Sequence, residues 1–160
     1  MKRIIIESEI RAFKFDELSE AVRSLVDAAR DATSNSYTPY SKFNVGAAVR
    51  LEDGTIIKGA NQENAAFPVT MCAERAAIFN AQSNNPELAI TEIAIAAKNA
   101  NGFVKEPVTP CGSCRQVLLE MEYRYKRDIK IYLCGASNVY EVKSVKDILP
   151  LSFADDSMHD

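Results

Sequence analysis

The 160-residue chain has no tryptophan and a single histidine, His159, beside the last residue. A histidine at a frayed end cannot hold a metal in an ordered site, so any metal centre must take its ligands from other side chains. A surplus of positive charge is also missing. Lys and Arg number 19 against 22 Asp and Glu, for a net charge of -3, and there is no Lys/Arg run. That balance disfavours a nucleic-acid polymer as partner and suits a small neutral or weakly charged ligand. No apolar segment approaches the length of a membrane span. The opening Met-Lys-Arg-Ile-Ile-Ile-Glu is too short for a signal peptide. The expectation is a cytoplasmic protein with no membrane partner. Thiols stay reduced there, so four cysteines argue for metal binding or catalysis before disulfides.

What is present suits one domain, since 47% of the residues are hydrophobic, enough for a core. Residues 2–15 alternate loosely (Ile4, Ile6, Ile10, Phe13, Phe15). This N-terminal extension reads either as a strand at an oligomer contact or as an edge strand of the chain's own sheet; the pattern does not separate the two. From Asp16, a candidate N-cap, to about Asn35, Leu18, Val22, Leu25, Val26 and Ala29 make a one-faced helix. Val45–Leu51 and Thr55–Asn61 flank Asp53-Gly54, a strong hairpin signal. A helix over Met71–Gln82 has Thr70 as candidate cap. Ile90–Ala97 reads as a buried strand, and a loop over 99–109 follows it. Pro110 opens a helix to about Arg127 with Cys114, Val117, Leu118 and Met121 on one face. Strands at Ile129–Cys134 and Val139–Lys143, joined by four residues, must be antiparallel. A short helix at Val145–Leu149 and an acidic, frayed tail over 154–160 complete the chain.

The order α-β-β-α-β-α-β-β-α predicts an α/β fold. We expect a three-layer α/β/α sandwich around a mixed five-stranded sheet. Its two β-α-β units should bring parallel strands to the centre, and the catalytic domain should span 16–153.

The chemistry lies in Cys72-Ala73-Glu74 and Pro110-Cys111-Gly112-Ser113-Cys114. Cys111 and Cys114, three apart at a helix start, share one face. Cys72 lies at another helix start, so all three sulfurs can converge if the two ends meet. Three protein ligands leave a zinc ion one open position, which catalysis needs and structural sites lack. Residues two apart on a helix point to nearly opposite sides, so Cys72 and Glu74 can share a site only over the helix end. Three thiolates with one zinc carry a net charge of about -1. Two helix N-termini, each worth about half a positive charge, would offset it. Arg75, three residues after Cys72, is expected to hydrogen-bond a ligand sulfur, with Arg115 a weaker candidate. Glu74 is free to act as general base and then general acid.

These blocks resemble the zinc-dependent cytidine deaminases of the small homotetrameric type, which pair a cysteine-held zinc with a glutamate that is not a ligand. The resemblance runs from about Asp16 to Phe153. It also takes in Tyr40–Ala48, Gly59–Ala65 and Leu149–Phe153. It implies a cytidine-deaminase-like fold and one Zn2+ per subunit on Cys72, Cys111 and Cys114, with Glu74 moving protons. It further implies that Phe43 stacks on the pyrimidine, Asn61 and Glu63 hold the ribose hydroxyls, and the Ala73 backbone reads the base edge. Phe67 and Phe153 would reach across subunit boundaries of the tetramer. Ala66 stands where the family often has serine, and 99–109 is longer than usual.

The implied activity is hydrolytic deamination of cytidine and 2′-deoxycytidine to the uridine products with release of ammonia. Rival readings are deamination of another cytosine compound such as a nucleoside antibiotic, a structural zinc module with Cys134 as fourth ligand, and thiol–disulfide exchange through Cys111 and Cys114. Cys134 otherwise reads as a buried strand residue.

Overall fold

Asp53 and Gly54 turn the chain between two strands. Gly54 takes φ 90°, a region open to glycine. The Asp53 carboxylate accepts the Thr55 N–H at 2.9 Å and the Thr55 hydroxyl at 3.0 Å. The hairpin belongs to a computed structural model that describes residues 1–158, without the side chains of residues 156 and 157.

In chain order the elements are β1 (Ile10–Lys14), α1 (Glu20–Ala32), β2 (Asn44–Leu51), β3 (Ile56–Ala60), α2 (Ala73–Asn84), β4 (Ile90–Asn99), β5 (Gly102–Phe103), α3 (Gly112–Tyr125), β6 (Lys130–Cys134) and β7 (Asn138–Val142). The sheet has seven strands rather than five, in the order β1-β7-β6-β4-β2-β3, with β5 paired to β4. One extra strand is β1, an edge strand antiparallel to β7. The other is β5, in a stretch expected to be loop, where Gly102 at φ 103° folds the chain back on β4.

The expected parallel centre is reduced to one pair, β4 with β6, from Glu92↔Lys130 to Ala96↔Cys134. The first β-α-β unit does not form a neighbouring pair, because β2 lies between β3 and β4 and is antiparallel to both. β6 and β7 are antiparallel, as their short connection requires.

Successive side chains of a strand face opposite sides, and β2 divides its residues accordingly. Ala48 packs with Leu25, Val26 and Ala29 of α1 on one face, beside Ala94, Ala96, Tyr132 and Cys134. Ala47 and Val49 pack on the other with Ala77 and Ile78 of α2 and Leu118 of α3, over Ile93, Ile95, Ile131 and Leu133. This gives the three layers. Burying each Leu, Ile or Val here contributes about 1.5–3 kcal/mol, so the two cores carry the fold. A Cβ on Gly59 of β3 would fall on the backbone of Ala73 and Ala77. The first turn of α2 therefore lies directly on the sheet.

Helix starts differ from the expected caps. Ser19, not Asp16, caps α1, its Oγ accepting the Val22 N–H at 3.3 Å, while Asp16 sits in a 3-10 turn at Phe15–Glu17. Thr70 does not cap α2; Cys72 occupies that position. The short helix expected at Val145–Leu149 is a 3-10 turn, Val145–Asp147. In the tail, Ala154 is buried and Asp155–Met158 forms a 3-10 turn, while His159 and Asp160 lie outside the described residues. No helix among the described residues is long and apolar enough to cross a membrane.

Candidate active site

Cys72 and Cys111 are the N-cap residues of α2 and α3, with φ/ψ of -72/150° and -66/167°. Their extended backbone turns each thiol over its helix end, which resolves the geometric conflict between Cys72 and Glu74. Cys72 precedes the helix and Glu74 lies in its first turn. Cys114 follows one turn into α3. The Cys72 and Cys111 sulfurs are 4.0 Å apart and those of Cys111 and Cys114 3.6 Å. All three lie within 4.8 Å of one another, and no other cluster of this kind occurs among the described residues. Sulfurs on a tetrahedral zinc, about 2.3 Å from the metal, stand about 3.8 Å apart, so this donor set fits that ion. Cys134 is not part of the group. It is buried in β6, its thiol directed at the Tyr132 carbonyl at 3.6 Å.

Arg75 donates from Nη2 to the Cys72 sulfur at 3.7 Å and to the Thr70 carbonyl at 3.3 Å. Arg115 is employed differently. It binds the carbonyls of Pro110 at 2.8 Å and Ile148 at 2.6 Å and the Thr109 hydroxyl at 3.3 Å, which fixes the loop before Cys111. Cys72 is held well below the usual thiol range, first by hydrogen bonding from Cys114 and then by Arg75 and Cys111. The same contact pushes Cys114 up.

Glu74 is 5% exposed. Burial is the main cause that pushes its carboxyl above the usual range. A carboxyl raised in this way holds a proton more readily than one in water, which suits a group that takes a proton and returns it.

A cavity of about 200 Å³ opens beside these groups, lined in part by Phe43, Asn61, Glu63, Ala73 and Glu74. Asn61 faces it with its amide engaged to the start of β2: Oδ1 accepts the Val45 N–H at 2.9 Å and Nδ2 donates to the Phe43 carbonyl at 3.0 Å. The Glu63 carboxylate accepts the N–H groups of Tyr40 at 2.9 Å and Ser41 at 3.2 Å. Hydrogen bonding, from Ser41 first, holds it below its usual range. Between them, Gln62 exchanges backbone hydrogen bonds with Met71 at 2.9 and 3.0 Å, tying this strip to the segment that leads to Cys72.

Phe67 and Phe153 do not line the cavity. They are 69% and 62% exposed, Phe67 meeting Tyr40 edge-to-face at 5.8 Å. The sequence reading missed Thr70, Met71, Val108 and Thr109 in the lining. For Val108 and Thr109 the signal was their place just ahead of Pro110-Cys111. Larger surface hollows, of about 450, 610 and 1040 Å³, lie elsewhere and contain no cysteine.

Known proteins agree with this geometry. The profile of the cytidine and deoxycytidylate deaminase zinc-binding region matches residues 19–127. The cytidine deaminase of Halalkalibacterium halodurans is 40% identical over 136 residues, 85% of this chain and 96% of that one. That of Sporosarcina psychrophila is 37% identical over 137 residues, 86% of this chain and 94% of that one. The crystal structure of the cytidine deaminase from Burkholderia pseudomallei superposes with a TM-score of 0.69 at 33% identity, covering 85% of this chain and all of that one. The cofactor of the matched region is zinc, and the three converging sulfurs supply a donor set suited to it. The chain belongs to the cytidine and deoxycytidylate deaminase family.

Proposed function

We propose that this protein hydrolyses cytidine and 2′-deoxycytidine to uridine and 2′-deoxyuridine, releasing ammonia. The observation that carries this reading is a buried carboxyl, Glu74, beside three converging sulfurs at the edge of a cavity. Cys72, Cys111 and Cys114 would hold the zinc, which when bound supplies Lewis-acid chemistry and makes water a nucleophile near neutral pH. Glu74 takes the proton lost by water as it adds to C4 of the base and gives a proton to N3. It then moves the proton of the new C4 hydroxyl to the amino group, the C4–N bond breaks as the C4 carbonyl forms, and ammonia leaves. Arg75, bonded to the Cys72 sulfur, offsets the negative charge of the thiolates.

Phe43 stacks on the pyrimidine and the Ala73 backbone reads its edge. Asn61 and Glu63 take the sugar hydroxyls, so binding energy remote from C4 orients the reacting atom. A cavity of about 200 Å³ is smaller than the usual 300–1,000 Å³ of a ligand site. Phe67 and Phe153, both exposed, would complete it from neighbouring subunits of a homotetramer. The N-terminal extension, 1–15, and the tail, 154–160, flank the catalytic domain at 16–153. The reaction needs no membrane or nucleic acid, and we assign it to the cytoplasm.

The rivals lack a supporting observation. A structural zinc module needs a fourth protein ligand, and Cys134 is turned to the Tyr132 carbonyl. Thiol exchange through Cys111 and Cys114 leaves Cys72 and Glu74 unexplained. The test is an ultraviolet assay of the purified protein with cytidine, 2′-deoxycytidine, free cytosine and blasticidin. Turnover of the two nucleosides alone is expected; turnover of blasticidin alone would transfer the chemistry to the antibiotic.

A further inference from the structure

Phe43 follows a residue in an unusual conformation. Lys42 has φ 56°, the left-handed region, which non-glycine residues adopt only where their surroundings fix it. Here the surroundings do so. The Lys42 N–H bonds the Thr38 carbonyl at 3.2 Å, and the Thr38 hydroxyl bonds Asn44 Oδ1 at 2.6 Å, closing the loop at both ends. Ser41 Oγ accepts the Phe43 N–H at 3.1 Å, a side-chain turn of the kind serine forms two residues ahead. On the other side of the same residue, Asn61 Nδ2 holds the Phe43 carbonyl at 3.0 Å. Ser41 is itself tied by its N–H to Glu63 Oε2 at 3.2 Å.

The Phe43 backbone is thus gripped from both sides. One grip belongs to Asn61, and the other runs through Ser41 to Glu63. The two residues assigned to the sugar also fix the residue assigned to the base.

We propose that Ser41 is a positioning residue of this reaction. Its hydroxyl sets the Phe43 backbone, and with it the ring against which the pyrimidine stacks. Through Ser41, Glu63 links the sugar side of the pocket to the base side. This rests on the deaminase reading and its placement of Phe43 on the base. Ser41 is exposed and touches no reacting atom. Its loss would loosen the ring in substrate and transition state alike, so the effect belongs in KM and not in kcat.

The experiment is a double-mutant cycle on cytidine turnover with Ser41→Ala, Ser41→Thr, Phe43→Ala and the Ser41→Ala/Phe43→Ala pair. Ser41→Ala is expected to raise KM about three- to tenfold, the size of one hydrogen bond, with kcat within about twofold. Ser41→Thr, which keeps the hydroxyl, should hold KM near the wild-type value. In the Phe43→Ala background, Ser41→Ala should have no further effect, because nothing remains to position. An unchanged KM in Ser41→Ala, a loss carried by kcat, or the same factor with and without the Phe43 ring would each overturn the inference and leave the deaminase reading standing. If Phe43→Ala itself leaves kcat/KM unchanged, the stacking assignment falls and the inference falls with it.

Discussion

Cys72 and Cys111 each hold the N-cap of a separate helix, and their sulfurs stand 4.0 Å apart. Neither thiol accepts a capping bond from its own helix. The N-termini of two helices therefore meet at one sulfur cluster. Two helix N-termini offset about one negative charge, which is what three thiolates and one zinc leave over.

Cysteine replacement separates the cluster from the remaining thiol. Cys72→Ala, Cys111→Ala and Cys114→Ala should each reduce bound zinc from about one per chain to near zero and abolish turnover. Cys134→Ala should keep both. Elemental analysis of the purified variants reads the outcome directly. Zinc lost from Cys134→Ala, or retained at full stoichiometry in Cys72→Ala, would contradict the ligand set.

Gly59 governs how closely α2 lies on β3. An alanine there meets the backbone of Ala73 and Ala77, the first of these directly after Cys72. Gly59→Ala should destabilise the fold by about 1–3 kcal/mol through overpacking. It should also reduce kcat/KM by about a hundredfold, the usual cost of moving a reactive group by about 1 Å. Urea midpoints and initial rates test the two effects separately. A variant with wild-type stability and activity would show that the contact relaxes at no cost.

Burial pushes the Cys134 thiol up from 9.0 to about 12. The folded chain therefore holds this proton more tightly than the unfolded chain. Its contribution to stability is complete below pH 9 and is lost as pH rises from 9 towards 12. At pH 10.5 the loss is about 2 kcal/mol, from 1.36 kcal/mol for each pKa unit. Cys134→Ala lacks this titration. The stability gap between wild type and Cys134→Ala should shift by that amount in favour of the variant between pH 8 and pH 10.5. Urea titrations at both pH values measure it; a constant gap would place the thiol in contact with water.

On the proposed reading, in which both sugars are accepted, the 3′-hydroxyl and not the 2′ carries the recognition by Asn61 and Glu63. Removing the 2′-hydroxyl should change kcat/KM only a few-fold, whereas removing the 3′-hydroxyl should cost roughly tenfold or more, the value of hydrogen bonding to a charged group. Steady-state kinetics on the two deoxy nucleosides compare them. Equal losses would remove the distinction.

The cysteine blocks were legible because few residue types can hold zinc and leave a position open. Their spacing at two helix starts carried the same message into space. The Asp53-Gly54 hairpin was legible because a turn at φ 90° calls for glycine. Helix starts were less so. Asp16 and Thr70 have good capping side chains, but Ser19 and Cys72 take those positions. Thr70 instead accepts the Asn64 N–H and the Arg75 guanidinium. Nothing local placed β2 between β3 and β4, since strand order is decided by packing between distant segments. The two-residue strand β5 is too short to show alternation. The hydrogen bonds by which Asn61 and Glu63 hold residues 40–45 were also invisible, because they go to backbone groups and not to residue types.

The most direct measurement is the turnover of cytidine by Glu74→Gln, with zinc quantified in the same sample. The amide keeps the shape of the carboxyl and cannot exchange its proton. About one zinc per chain is expected, with kcat lowered about 10²–10⁴-fold, the usual contribution of a positioned acid–base group. A zinc-loaded variant turning over within a few-fold of wild type would contradict it.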